Sequence, residues 1–189
     1  MRRGAELAFG GMTNQKKILI VSTDFGVEQP EIVVPATKLK ELGHEVVVAT
    51  PTGEDVQTFV NDKDRGEVFP VDTKLADAQG DFDVVLLPGG TLNSDAARID
   101  SEIQQVVKAQ AEAGRTVAAV CHAPWVLVET GLAKGKTLTG YESIRTDLAN
   151  AGATVVDQEV KVCPANGWTL ITSRTPDDLD AFVKAVDEA

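Results

Sequence analysis

Apolar residues in this chain come in short dense runs, separated by segments with helical spacing. "KKILIVST", Lys16–Thr23, is β-rich with no polar alternation, which predicts a strand buried on both faces. In "PEIVVPATKLKELG", residues Ile32, Ala36, Leu39 and Leu42 recur near helical spacing and Gly43 offers a C′ stop. Pro35 inside that pattern predicts a kink or a first turn. "HEVVVATP" and "FDVVLLPGG" read as further strands, the second ending in a glycine pair. "SEIQQVVKAQAEAG" predicts an amphipathic helix from about Asp100, with Ile103, Val106, Val107 and Ala111 on one face. "RTVAAV" predicts another strand, and "APWVLVETG" a helix closed by Gly131.

Strands and helices thus alternate with short links, the pattern of a mostly parallel sheet covered by helices on both faces. The tail differs. "TVVDQEVKVCPANGWTLITSR" predicts a hairpin around Asn166–Gly167. "TPDDLDAFVKAVDEA" predicts a last helix with Thr175 as N-cap and Pro176 at its first position. No repeat, low-complexity tract or linker interrupts the pattern. The expected organisation is an extension over residues 1–15 and one domain over residues 16–189.

Composition narrows the function. The 189 residues carry a formal charge of −11, a field that repels phosphate backbones, so no nucleic-acid partner is expected. No apolar run reaches the length of a membrane span, so no membrane partner is expected. The start, "MRRGAELAFGGMTNQKK", lacks the apolar stretch of a secretory signal. Two cysteines, Cys121 and Cys163, fit a reducing compartment, hence a cytoplasmic location. Two cysteines and two histidines argue against a dedicated transition-metal site, and no cofactor is expected.

Ligands of open α/β sheets bind outside the carboxyl ends of the strands. Three such ends carry chemistry. "DFGVEQPE" follows the first strand with Glu28 and Glu31, Gly89–Gly90 follow "VVLLP", and Cys121–His122 follow "TVAAV". On a sharp strand-to-helix turn Cys121 is a nucleophile lifted clear of the sheet, with a helix N-terminus favouring its thiolate. The N–H groups of Gly90 and His122 are then oxyanion donors, and His122 a general base and acid. A glutamate reaching the thiol has its pKa raised by burial and by the negative sulfur, so it donates a proton to sulfur. Each feature has a plainer reading. Free cysteines are commonly buried without function, and lone glutamates at a loop and a helix start are usually solvated. His44 reads as structural, Cys163 as an ordinary thiol, and Trp125 and Trp168 as packing residues.

"LPGG", "AVCHAPWVL", "GYESIRTDLANAGATVVDQEV" and "NGWTLITSRTPDDLDAF" resemble the ThiJ/PfpI superfamily, in particular the PfpI branch of intracellular proteases and stress proteins. The similarity runs from Lys17 to the last helix. It implies a flavodoxin-like three-layer sandwich of the class I glutamine amidotransferase type. It also implies a nucleophilic Cys121 with His122 beside it in the reaction, and oxyanion donors at Gly90 and His122. The family's acid beside the thiol lies four residues before a proline, which falls on Glu31; Glu28 is the second candidate. Ala123 stands where the branch usually has glycine, which keeps the elbow if that position needs no positive φ. Protease-type members complete a triad with an acid from a neighbouring subunit just after the glycine pair. Here Ser94 holds that place, and Asp95 is the candidate trans acid. The resemblance further implies a homo-oligomer. Three activities remain open: a cysteine peptidase, a cofactor-free glyoxalase or deglycase acting on a small aldehyde, and a non-enzymatic redox sensor or chaperone-like stress protein.

Overall fold

The computed structural model describes residues 14–189. The expected N-terminal extension therefore lies almost wholly outside the described residues. In chain order the elements are β1 (Lys17–Val21), β2 (Phe25–Glu28), α1 (Gln29–Glu41), β3 (Glu45–Thr50), β4 (Val56–Val60), β5 (Asp64–Phe69) and β6 (Thr73–Lys74). They continue with β7 (Val84–Leu87), α2 (Thr91–Ile99), α3 (Ser101–Glu112), β8 (Thr116–Val120), α4 (Trp125–Glu129) and β9 (Thr137–Leu138). The last are α5 (Arg145–Asn150), β10 (Thr154–Val155), β11 (Val160–Cys163), β12 (Thr169–Ser173) and α6 (Leu179–Glu188).

Seven strands form the central sheet in the order β11-β12-β8-β7-β1-β3-β6. All neighbours are parallel except β11 and β12. The central strands are apolar at nearly every position because both faces are covered. Leu19, Val85, Val117 and Leu170 face Ile103, Leu127 and Leu148 on one side. Their alternates Ile20, Leu86, Ala118 and Ile171 face Ile32, Leu39, Phe182 and Val186 on the other. This period-2 division of each strand between two helix layers makes the three-layer α/β sandwich.

The hairpin forms, with positive φ at Asn166 and Gly167, although its loop spans more than those two residues. His44 is structural: its Nδ1 accepts the Lys16 N–H at 3.1 Å and its Nε2 lies 2.8 Å from Asp187, tying the start of β1 to α6. Two expectations need correction, and a second sheet is added to them. Leu42 is 42% exposed, because α1 ends at Glu41 and Leu42 follows as its cap, off the buried face. Thr175 makes no side-chain cap; Pro176–Asp178 form a 3-10 turn, α6 begins at Leu179, and Asp178 instead grips Arg174 in a bidentate pair. A second sheet, β2-β4-β5, stands outside the alternating pattern. It escapes the pattern because Gly26 interrupts β2 and the turn between β4 and β5 is charged. Among the described residues no helix is long and apolar enough to cross a membrane.

Candidate active site

The turn after β8 is a strained elbow. Cys121 has φ +62°, a left-handed conformation that costs a non-glycine residue about 1–2 kcal/mol. The strain is held by two backbone bonds: the Cys121 N–H donates to the Ser173 carbonyl at 3.1 Å, and its carbonyl accepts from the Tyr141 N–H at 2.8 Å. Ala123 does not share the positive φ, so alanine fits where the family prefers glycine.

The other two strand ends converge on this elbow. Glu31, one turn into α1, is fully buried, and its Oε2 accepts the Gly89 N–H at 2.8 Å. Its Oε1 has no hydrogen-bond partner among the described residues, and the carboxyl group lies beside the Cys121 thiol. The glycine pair is a steric requirement. A Cβ at 89 would lie 2.4 Å from Glu31 Oε2, 2.7 Å from the Val120 carbonyl and 2.9 Å from Cys121 Cβ. Gly90 has φ +88°, and a Cβ there would meet the Gly26 carbonyl at 2.3 Å. Buried Asn93 staples the ends together: it accepts from Thr23 N–H at 2.8 Å and donates to the Pro88 and Gly89 carbonyls at 3.0 Å each.

Burial raises the pKa of Glu31 well above the ordinary carboxylate range, and the nearby charge of Glu28 adds to this. Glu31 is thus a proton donor aimed at sulfur. The Cys121 thiol is also raised, first by burial and then by Glu31, with a hydrogen bond from the Gly90 N–H opposing. This corrects the expected thiolate. The helix after the elbow is a short one that starts only at Trp125, and burial beside a carboxyl outweighs any dipole. Sulfur and carboxyl therefore rest protonated and share a buried pocket. Burial lowers the pKa of His122 from 6.5, so at neutral pH its ring is uncharged and able to accept a proton. Its Nδ1 lies 3.2 Å from the Cys121 sulfur. Tyr141 stacks on the ring with centroids 4.5 Å apart. The N–H groups of Gly90 and His122 donate to no backbone oxygen among the described residues; that of Gly90 is directed at the Cys121 sulfur, beside which an oxyanion would form.

Beyond the ring, His122 Nε2 lies 3.3 Å from two hydroxyls, Thr91 Oγ1 and Ser143 Oγ. Among the described residues no carboxylate contacts it directly. Ser94 is buried within α2, and Asp95 is exposed beside it. Glu28 does not bond the thiol either. Its two oxygens accept the N–H groups of Asn61 and Asp62, each at 2.8 Å. Sequence reasoning gave no role to Asp62, in a charged turn, to Thr91, at a helix start, or to Tyr141 and Ser143, which lie in the "GYESIR" stretch that carried the resemblance without an assigned chemistry. A cavity of about 180 Å³ opens onto Cys121, lined by Glu28, Glu31, Asn61, Asp62, Tyr141 and Pro176.

Cys163 is buried, and its sulfur accepts the Thr137 N–H at 3.3 Å, remote from this cluster. Trp125 donates from its ring to Asp147 at 2.9 Å, and Trp168 packs under Lys136 Nζ, 3.7 Å from the ring centroid.

Comparison with known proteins places the chain in a family. The model of the DJ-1/PfpI family matches residues 16–189. General stress protein 18 of Bacillus subtilis is 42% identical over 168 residues, which is 88% of this chain and 93% of that protein. YraA of the same organism, whose name assigns it provisionally to the cysteine proteases, is 41% identical over 88% of this chain and 94% of its own length. Deglycase TK1284 of Thermococcus kodakarensis is 36% identical over 89% of this chain and 95% of its own length. Drosophila melanogaster DJ-1beta superposes with a TM-score of 0.81 at 35% identity, covering 92% of this chain and 89% of that one. The sandwich is accordingly of the flavodoxin-like type, and this chain belongs to the DJ-1/PfpI family.

Proposed function

We propose that the protein is a cofactor-free enzyme in which Cys121 adds to small carbonyl compounds, α-dicarbonyls such as methylglyoxal or their adducts with amines. The observation that carries this reading is the buried thiol held between a proton-donating Glu31 and a neutral His122 at the end of a cavity of about 180 Å³. That volume is below the range of sites for drug-sized ligands and suits a few heavy atoms. The name of the Thermococcus relative as a deglycase points the same way.

The chemistry balances without an external oxidant. His122 Nδ1 takes the thiol proton as sulfur attacks the aldehyde carbon. The C–S bond forms, the C=O π bond breaks, and the oxygen is held by the N–H groups of Gly90 and His122 and then protonated, giving a hemithioacetal. The proton on that carbon next moves to an acid-base group and returns to the neighbouring carbonyl carbon. The aldehyde carbon is thereby oxidised and the ketone carbon reduced, and a thioester results. Water cleaves it to lactate and free thiol. From a hemiaminal adduct the sulfur replaces the amine at the same carbon: the C–S bond forms, the C–N bond breaks, the nitrogen leaves carrying the proton taken from the thiol, and the same hemithioacetal results.

The test compares wild type with Cys121→Ala, offering methylglyoxal without added cofactor and measuring lactate. Lactate from wild type alone supports the reading; equal turnover by both proteins overturns it. A peptidase would require Asp95 from a second copy in a homo-oligomer to support His122. Cleavage of peptides, lost in Asp95→Ala and restored in mixed oligomers, would replace the carbonyl reading with that one.

A further inference from the structure

Among the described residues His122 Nε2 has no carboxylate partner, yet one lies a single hydroxyl away. Thr91 Oγ1 sits 3.3 Å from Nε2 and 2.8 Å from Asp62 Oδ2. Asp62 Oδ1 also accepts the Thr91 N–H at 2.9 Å, capping α2 where Gly90 has no side chain to do so. A carboxylate accepts, so the Thr91 hydroxyl hydrogen is committed to Asp62. The same hydroxyl can then only accept from His122. From this we infer that Asp62, acting through Thr91, fixes His122 as the Nε2–H tautomer and so leaves Nδ1 as the lone pair that faces Cys121. Ser143 fits the scheme, since its hydroxyl, also 3.3 Å from Nε2, is free to accept.

Glu28 completes the chain of support. Asn61 and Asp62 have φ of +57° and +54°, an unfavourable turn for two non-glycine residues. The Glu28 carboxyl holds both of their N–H groups and so presents Asp62 to Thr91. Asp62, Thr91 and Glu28 are positioning residues: none touches the sulfur. They supply from within one chain what the missing acid at position 94 does not.

Helix capping alone would also explain the Asp62–Thr91 bonds, and the test separates the two. It rests on the reading of Cys121 and His122 as the reactive pair but needs no substrate, so it is independent of whether methylglyoxal is turned over. Side-chain 15N NMR at about pH 8 reads the tautomer of His122, whose signals are identified by their loss in His122→Ala. Wild type is expected to show Nε2–H with unprotonated Nδ1. In Asp62→Asn the amide still caps Thr91 N–H but donates to its hydroxyl, which then donates to Nε2. The tautomer reverses, and alkylation of Cys121 by iodoacetamide, followed by peptide mass spectrometry, slows by about tenfold or more. Thr91→Val keeps the cap and loses the hydroxyl, so both tautomers should populate; Thr91→Ser should keep the wild-type tautomer. Around His122 the charged or titratable groups are Asp62, Cys121, Tyr141 and, through the sulfur, Glu31. Nδ1–H in wild type, or an unchanged tautomer in both Asp62→Asn and Thr91→Val, overturns the inference.

Discussion

Glu31 takes the Gly89 N–H on one carboxyl oxygen, at 2.8 Å, and sets the same buried carboxyl beside the Cys121 sulfur. A residue of the first helix, the turn after β7 and the elbow after β8 are thus one unit. The first prediction follows from that contact. Glu31→Gln keeps an acceptor for Gly89 and a donor for sulfur but cannot ionise, so it removes the negative charge that the carboxyl would carry at the pH where the thiol loses its proton. The pH midpoint of Cys121 alkylation should fall, while lactate formation from methylglyoxal drops because the amide cannot relay a proton. A midpoint that rises would contradict the assigned direction.

Stability should respond to the same substitution in a pH-dependent way. The folded pKa of Glu31 is raised above 4.5, so the folded state holds its proton where the unfolded chain has released it. Its contribution to stability is full below the unfolded pKa and declines as pH rises toward the folded value. Glu31→Gln escapes that decline. The melting temperature of the variant relative to wild type should therefore climb between about pH 4.5 and neutrality. A constant difference over that range would mean that Glu31 titrates normally.

His122 sets the acid limb of reactivity. Its ring must be neutral to accept the thiol proton, and burial holds its pKa below 6.5. Turnover should stay level down to that pH and fall below it. The charge of Asp62 opposes the shift, so Asp62→Asn should move the limb to still lower pH. A limb above 6.5 would contradict this.

The glycine pair should tolerate nothing larger. Gly90→Ala combines a positive φ with a Cβ 2.3 Å from a backbone oxygen, and should cost about 2–4 kcal/mol in denaturant unfolding. Gly89→Ala must displace Glu31 or Cys121, so it should abolish turnover even where the fold survives. An active Gly89→Ala variant would contradict the geometry.

Lys136 offers a control far from the thiol. It is fully buried, and its ammonium serves the carbonyls of Cys163, Ala165 and Trp168 in the loop between β11 and β12. Lys136→Met orphans all three and should cost about 3 kcal/mol, with activity per folded molecule unchanged.

The hydrophobic pattern made the main sheet legible because strands such as β1 and β8 are apolar at almost every position and helices such as α3 carry one stripe. β2, β4 and β5 were not legible: Gly26 breaks the first, and the charged run "NDKDRGE" covers both the turn after β4 and the start of β5, so it lacks an apolar strand pattern. At the site, Cys121, His122, Glu31 and the glycine pair stood out because strand ends and motif spacing point to them. Asp62, Thr91, Ser143 and Tyr141 did not, since their place is set by tertiary contacts with His122 that no local pattern encodes. Glu28 was visible as an acid, but only the fold shows that it holds the Asn61–Asp62 turn and not the thiol.

The central claim is that Cys121 is the reacting group, and partial alkylation of the native protein tests it without any substitution. Methylglyoxal turnover is measured as iodoacetamide is titrated in, with the modified fraction of Cys121 and of Cys163 read separately by peptide mass spectrometry. Turnover should fall in direct proportion to unmodified Cys121 and reach zero when it is consumed. Turnover that persists with Cys121 fully alkylated, or that tracks Cys163, would contradict the account.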